Sequence, residues 1–253
     1  MAPLCLALLV AGSSKQARGQ QTKELRISAA ADLQPVMPGL AYLYLQKTGI
    51  KLLVNFGSSG ALETQIENGA PVDLFLGADF IFPEKVVAAG LADAKAPTPY
   101  ARGRLVVWAR KDSPLQPISV EKLLDPRVAK IAVADAFHAP YGRAAASALE
   151  HMKMLDALKP KLVVAENIAQ AGQFVESGNA QIGLISMTLA SSPHYREIGA
   201  FVLVPESQYP EIRQTAVVLA RSHRRAEAHA FLDWLLSSEV QDKLPDVGLE
   251  PVH

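Results

Sequence analysis

Short apolar segments typical of buried β-strands alternate with helical segments along most of the chain. Strands are predicted at 24–31 (ELRISAAA), 50–56 (IKLLVNF) and 72–78 (VDLFLGA), and a segment with helical spacing of apolar residues follows each. This alternation predicts an α/β fold with a mainly parallel sheet and helices on both faces. Pro38, near the start of the first helix, is expected to kink that helix.

A second α/β unit follows a break that contains Pro97 and Pro99. Its predicted strands are 103–110 (GRLVVWAR), 130–135 (KIAVAD), 161–165 (KLVVA) and 180–186 (AQIGLIS). A last helix is predicted over 225–244, with Phe231 and Trp234 facing the core. The two halves share the same order of strand, small-residue loop and helix.

The size and charge of the chain narrow the classes of function. With 253 residues and 49% hydrophobic content, it can form one large domain or two smaller ones. Its formal net charge is zero, so no basic excess indicates binding to nucleic acid or to an anionic membrane surface.

An apolar run near the N-terminus, LCLALLVAG, is too short to span a bilayer. It is typical of the central region of a secretory signal peptide, although no Lys or Arg precedes it, and residues 1–23 are therefore predicted to direct export. The alternative is a disordered or buried N-terminal strand. The only cysteine, Cys5, lies in this run, so the exported chain would have no disulfide and no cysteine-based metal site.

Four junctions between a strand and a helix combine small and polar residues: AAAD (29–32), GSSG (57–60), APYG (139–142) and ENIA (166–169). The first turn of a helix has unpaired backbone N–H groups and the positive end of the helix dipole, so each junction is a candidate anion site. Ser, Asp and Asn are also the usual helix caps, which is the alternative for each loop taken alone. Four such loops that face one another favour the anion site.

Motifs of several enzyme classes are absent from the sequence. There is no GxGxxG after the first strand, no GxxxxGK[ST], no GxSxG and no HExxH. The six histidines are scattered, and only His138 adjoins one of the four loops. Asp73, at the start of the third strand, and Asp79, in the turn after it, are interpreted as caps.

Four segments resemble the periplasmic molybdate-binding proteins of ABC transporters: AAADL (29–33), FGSSGALETQIENGAPVDLFLGAD (56–79), HAPYG (138–142) and IGLIS (182–186). The resemblance extends from Glu24 to the C-terminus. It implies the type II periplasmic binding protein fold, with two Rossmann-like α/β lobes, two crossover strands and a ligand cleft between the lobes. Lobe I would comprise 24–102 and 206–253, and lobe II would comprise 103–205.

The resemblance also implies the positions that bind the oxyanion: Ala31, Asp32, Ser59, Tyr141, Ile168 and Ser186. Ser59 falls on a serine ligand, and Ile168 falls on an aliphatic residue that donates through its backbone N–H. Ser186 stands where many relatives have a tyrosine ligand. The tyrosine hydroxyl is therefore expected to come from Tyr141 instead.

Asp32 departs from this pattern, because its position usually holds Ser or Asn. An ionised carboxylate cannot donate a hydrogen bond. Within about 4 Å of a dianion it would cost roughly 4 kcal/mol per pair of unit charges at an effective dielectric constant of about 20. Either the side chain caps its own helix at the N–H of Gln34, or it is protonated in the complex, or the ligand is not molybdate. We favour the cap.

The function implied by the resemblance is capture of a tetrahedral oxyanion, molybdate or tungstate, for delivery to an ABC permease in the membrane. The alternative is a binding protein of the same fold for sulfate, phosphate or an organic acid. The protein is expected to be a periplasmic monomer that has no cofactor, no nucleic-acid partner and no enzymatic activity. A hydrolase or transferase that uses Asp32 or His138 is the alternative from a different class.

Overall fold

The computed structural model describes residues 23–252. The predicted signal peptide, residues 1–23, lies outside this range except for Lys23, and Cys5 lies outside it as well. Within the described range, no helix combines the length and the apolar character needed to cross a membrane.

Eleven strands in the described range form two separate sheets. The strands are β1 (Lys23–Ala30), β2 (Ile50–Gly57), β3 (Leu74–Gly77), β4 (Thr98–Gly103), β5 (Leu105–Arg110), β6 (Ile131–Ala134), β7 (Leu162–Ala165), β8 (Ile182–Ser186), β9 (Gly199–Leu203), β10 (Ile212–Val218) and β11 (Leu249–Glu250). The first sheet has the order β11-β4-β10-β3-β1-β2, and the second has the order β7-β6-β8-β5-β9.

Helices connect or flank these strands. They are α1 (Met37–Thr48), α2 (Ser59–Glu67), α3 (Ile81–Ala88), α4 (Pro140–His151), α5 (Leu155–Leu158), α6 (Ile168–Glu176), α7 (Met187–Ser191), α8 (Pro193–Ile198), α9 (Arg225–Leu235) and α10 (Ser238–Gln241). We call the first sheet with α1–α3, α9 and α10 lobe I, and the second sheet with α4–α8 lobe II. The chain passes between the lobes twice, from β4 to β5 and from β9 to β10.

The prediction of a mainly parallel sheet is wrong, because both sheets contain parallel and antiparallel pairs of strands. In lobe I, β1 pairs in parallel with β2 and β3, but β10 runs antiparallel to β3 and β4. In lobe II, β6 pairs in parallel with β7 and β8, but β5 runs antiparallel to β8 and β9. Strands β5 and β10 arrive directly from the other sheet. They therefore have no crossover helix of the kind that joins neighbouring parallel strands.

Two predictions about helices differ from the structure. The first helix is not kinked at Pro38, because α1 begins at Met37 and Pro38 lies in its first turn, where an N–H has no helical partner. The predicted last helix is two helices, which break between Leu235 and Ser238.

Aromatic residues fill the core of each lobe. Tyr44 on α1 packs edge-on against Phe231 on α9, with ring centroids 5.0 Å apart, and Trp234 is also buried there, as predicted. In lobe II, Trp108 on β5 is fully buried against Tyr195 on α8. Each lobe therefore has its own apolar core, and the loops at the carboxyl ends of β1, β2 and β6 are left to meet between them.

Candidate functional site

A small cavity lies between the lobes where the four predicted loops meet. Its lining residues are Ala30, Ala31, Asp32, Gly57, Ser58, Ser59, Ala78, Ala139, Pro140, Tyr141, Asn167 and Ile168. Five of the six predicted positions are brought together here, and Ser186 is not among the lining residues. Whether the five bind a ligand stays a prediction.

Ser59 is the first residue of α2 and is fully buried. Its hydroxyl oxygen accepts a hydrogen bond from the backbone N–H of Ala78 at 3.0 Å, which ties the loop after β2 to the loop after β3. A hydroxyl accepts and donates at once, so this bond leaves the proton of Ser59 available to an acceptor in the cavity.

Ser58 is a second buried hydroxyl in the same loop, and the sequence prediction did not single it out. It holds the cap position of α2, but its side chain makes no cap hydrogen bond. Its Oγ has no hydrogen-bond partner in the described part of the protein. A buried polar group without a partner costs about 1–3 kcal/mol, so an acceptor in the cavity would stabilise this arrangement. The only sequence signal was the pair of serines in GSSG.

The second lobe contributes the first turns of two helices. Tyr141 and Ile168 are both buried, at the second position of α4 and the first position of α6. Asn167 caps α6, since its side chain accepts the N–H of Gln170 at 3.0 Å. The N–H groups of a first helical turn have no partner within the helix, so both turns direct donors and positive dipole ends at the cavity.

Asp32 is fully buried. We expected its side chain to cap the helix, and this prediction is wrong, because the side chain makes no cap hydrogen bond. The N–H of Gln34 instead donates to the carbonyl of Ala31, because residues 31–33 form a tight helical turn. Oδ2 of Asp32 accepts from Nε2 of Gln214 at 2.5 Å, and Oδ1 has no partner among residues 23–252. Burial raises the pKa of Asp32 to about 6, although hydrogen bonds from Gln214 and Tyr141 oppose the shift.

Tyr141 reaches from lobe II toward the crossover strands of lobe I. Its hydroxyl accepts from Nε2 of Gln214 on β10 at 3.3 Å. A Cβ atom at Gly103, the last residue of β4, would lie 2.1 Å from the Tyr141 hydroxyl oxygen, so only glycine leaves room for this contact. Burial and the nearby Asp32 carboxyl raise the pKa of Tyr141 well above its usual value, which keeps the phenol protonated.

Ser186, the sixth predicted position, has a local structural role. Its side chain is fully buried and caps α7, where Oγ accepts from the N–H of Leu189 at 3.4 Å. It also accepts from the hydroxyl of Thr188 at 2.8 Å. These bonds use Ser186 within lobe II, away from the cavity lining.

The cavity has donors but no cation. The described residues that line the cavity include no Lys, Arg or His. Asp32 is the only Asp or Glu among them. No group of three or more His, Cys, Asp or Glu side chains suited to a metal ion occurs within residues 23–252. His138 is exposed and its Nδ1 lies 3.2 Å from Asp135, so it does not extend the site. Hydroxyl groups and helix N-termini in such a cavity suit an anion.

Two contacts join the lobes beside the cavity. Arg143 on α4 forms an ion pair with Asp79, which follows β3, at 3.1 Å. The backbone N–H of Gly60 on α2 donates to the carbonyl of His138 at 2.9 Å. Both contacts lie near the ring of Phe82, and the two lobes are therefore in direct contact beside the cavity.

The comparisons with known proteins agree with this geometry. A family model described as bacterial extracellular solute-binding protein matches residues 25–250. The chain belongs to this family. Two curated members to which it is similar are the molybdate-binding proteins ModA of Azotobacter vinelandii and Rhodobacter capsulatus, each 33% identical. The matches cover 94% of this chain and 94% of the first relative, and 89% of this chain and 87% of the second.

Solved structures of solute-binding proteins support the fold. The periplasmic molybdate-binding protein of Azotobacter vinelandii matches with a TM-score of 0.84 and 28% identity, over 90% of this chain and 100% of the other. The sulfate-binding protein SubI of Mycobacterium tuberculosis matches with a TM-score of 0.76 over 91% of this chain and 87% of the other. At 16% identity this second likeness concerns the fold alone. The predicted type II periplasmic binding protein fold and the predicted resemblance to molybdate-binding proteins are both confirmed.

Proposed function

We propose that the protein binds a tetrahedral oxyanion, molybdate or tungstate, between its lobes and delivers it to an ABC permease. The observation that carries this proposal is the cation-free cavity between the lobes, where the Ser58 and Ser59 hydroxyls and the helix N-termini of α2, α4 and α6 converge. Molybdate is favoured over other anions because relatives that match most of the chain are named as molybdate-binding proteins.

Neutral donors suit a buried dianion for a physical reason. Several aligned N–H and O–H dipoles can offset its charge without leaving an unpaired counter-charge when the site is empty. The proposed ligands are Ser58, Ser59, Tyr141, the backbone N–H of Ile168 and the loop of Ala31 and Asp32. Ser186, predicted as a ligand from the resemblance, is proposed to act only on the fold of lobe II.

The lobes are proposed to close on the anion as units, with lobe I formed by 24–102 and 206–253 and lobe II by 103–205. These boundaries place β10 and all of β4 except its last residue, Gly103, in lobe I, and β5 and β9 in lobe II. The two short connections between them are the natural hinge.

The cellular location, oligomeric state and protein partner are proposed from the family. The protein acts as a monomer outside the cytoplasmic membrane, residues 1–23 direct its export, and the permease is its protein partner. It needs no cofactor and is not an enzyme, because the site presents donors to an anion and no activated nucleophile. A turnover assay checks this last point, since a binding protein returns its ligand unchanged.

A thermal-shift panel with molybdate, tungstate, sulfate, phosphate and chromate tests the ligand. An anion that binds only the native state raises the melting temperature by mass action. We expect the largest shifts with molybdate and tungstate. Equal shifts with sulfate would overturn the choice of ligand but not the fold.

A further inference from the structure

We propose that Asp32 binds the oxyanion in its protonated form, so that one proton enters the site together with each anion. This inference rests on the proposed function, because it concerns the same cavity. It makes Asp32, which stands at a position where the resemblance implies Ser or Asn, a hydrogen-bond donor to the ligand.

The two carboxyl oxygens of Asp32 have different surroundings. Oδ2 accepts a hydrogen bond from the amide nitrogen of Gln214 at 2.5 Å. Oδ1 is buried and has no hydrogen-bond partner in the described range. Asp32 itself lines the cavity. An ionised carboxylate offers about four acceptor sites, so a fully buried one whose side-chain partners are only Gln214 and the Tyr141 hydroxyl is poorly compensated. A proton on Oδ1 removes the charge and supplies a donor to an anion.

The hydrogen bonds around Gln214 decide which oxygen carries the proton. Tyr100 on β4 donates its hydroxyl to Oε1 of Gln214 at 2.8 Å, a shorter contact than the 3.3 Å to the carbonyl of Gly77, and this bond makes that end of the amide the acceptor. The NH₂ group therefore faces Asp32 and Tyr141. Since Oδ2 already accepts from this NH₂, the proton of a neutral Asp32 belongs on Oδ1.

Within residues 23–252, no charged group offsets an ionised Asp32. The groups that face it are Tyr141 from α4, Tyr100 from β4 and Gln214 from β10, and burial keeps both phenols protonated. The ion pair of Asp79 and Arg143 lines a neighbouring cavity and has no net charge. Burial already raises the pKa of Asp32 to about 6, and an oxyanion in the same cavity disfavours its ionised form further.

Calorimetric titration of the full protein with molybdate at pH 7.5, in two buffers of different ionisation enthalpy, measures the proton uptake. We expect the wild-type protein to take up close to one proton per anion. Binding should tighten by about tenfold for each pH unit lowered between pH 8 and about pH 6.5. Asp32→Asn should bind with almost no proton uptake. Glu63→Gln, which changes another buried carboxyl outside the cavity lining, should keep the uptake.

The outcomes separate this inference from the proposed function. Binding by the wild-type protein without proton uptake would overturn the role of Asp32 and leave the function intact. Uptake that persists in Asp32→Asn would place the proton on the anion and also overturn it. If no oxyanion binds, the proposed function falls, and this inference falls with it. If Asp32→Asn does not fold, Asp32→Ser, which restores a neutral donor, replaces it in the same test.

Discussion

Arg143 and Asp79 form an ion pair across the cleft, in which two guanidinium nitrogens lie 3.1 and 3.2 Å from the same carboxylate oxygen. The other oxygen of Asp79 accepts the N–H of Phe82 in the first turn of α3 at 3.2 Å, so its side chain pairs with a helix N-terminus as predicted, although the cap position itself is held by Phe80. Burial raises the pKa of Asp79 above its usual value, although Arg143 opposes this shift. The pair thus connects the loop before α3 in lobe I to α4 in lobe II.

Arg143→Gln should shift the lobes toward the open form and increase the dissociation rate of the anion. The guanidinium is partly exposed, so a loss of about 1 kcal/mol, or roughly fivefold in affinity, is expected. Stopped-flow dissociation measures this change. Arg213→Gln is the matched control, because Arg213 pairs with Glu211 at the surface. An equal effect of both substitutions would contradict the role of the Arg143 pair in closure.

Ser58→Ala and Ser59→Ala should have different effects on the anion-free protein. Both should weaken anion binding by about 1–3 kcal/mol, since each removes a buried donor from a charged ligand. Ser59→Ala should also lower the free energy of unfolding, because Ala78 loses the acceptor of its N–H. Ser58→Ala should not lower it, since Ser58 Oγ has no partner in the described structure. Titration calorimetry and urea unfolding measure the two quantities, and a larger loss of stability in Ser58→Ala would refute this assignment.

Tyr141→Phe should weaken binding more than Ser186→Ala. The tyrosine hydroxyl contacts the Gln214 amide beside the cavity, so its loss should reduce affinity by about 1 kcal/mol or more. Ser186→Ala should leave affinity nearly unchanged and lower the free energy of unfolding by about 1 kcal/mol, the usual value for a lost helix cap. The reverse order of affinities would show that the strand position still supplies a ligand.

Asp32→Asn should stabilise the anion-free protein in a way that depends on pH. The pKa of Asp32 is raised from 3.8 to about 6 on folding. Below about pH 4, Asp32 is protonated in both states and does not lower the free energy of unfolding. As the pH rises to about 6, this free energy falls, because the unfolded state releases the proton more readily. The cost above that pH is on the order of 3 kcal/mol. The neutral amide of the variant avoids this cost, so urea unfolding should show a gain at pH 7.5 and almost none at pH 4. Ser186→Ala serves as the control, because its effect on the free energy of unfolding should not depend on pH. If Asp32→Asn raised the free energy of unfolding equally at both pH values, the raised pKa of Asp32 would be contradicted.

Much of the fold follows from local patterns in the sequence. The loop GSSG predicts a helix N-terminus at Ser59, and apolar spacing predicts the strands that carry each loop. The direction of β5 and β10 was not predictable in this way, because periodicity within a strand carries no information about its neighbours.

The surroundings of Asp32 illustrate what local patterns cannot show in the site. Its partner Gln214 lies 182 positions away along the chain, and nothing in the sequence near Gln214 marks it as a partner of a cavity residue. The sequence therefore predicted the nearest N–H as a partner, whereas tertiary packing brings β10 against the first loop. The same holds for Ser58, whose lack of a partner is visible only once the whole cavity is assembled.

Titration calorimetry with molybdate and with sulfate, at one pH and one salt concentration, tests the central claim most directly. The donors are held at set distances by the loops and helix N-termini, so we expect a cavity matched to the larger oxyanion to reject the smaller one. We predict a dissociation constant for molybdate at least about a hundredfold lower than that for sulfate, or roughly 2.8 kcal/mol. Equal affinities, or no binding of molybdate, would contradict the proposal that this protein is a molybdate-binding protein.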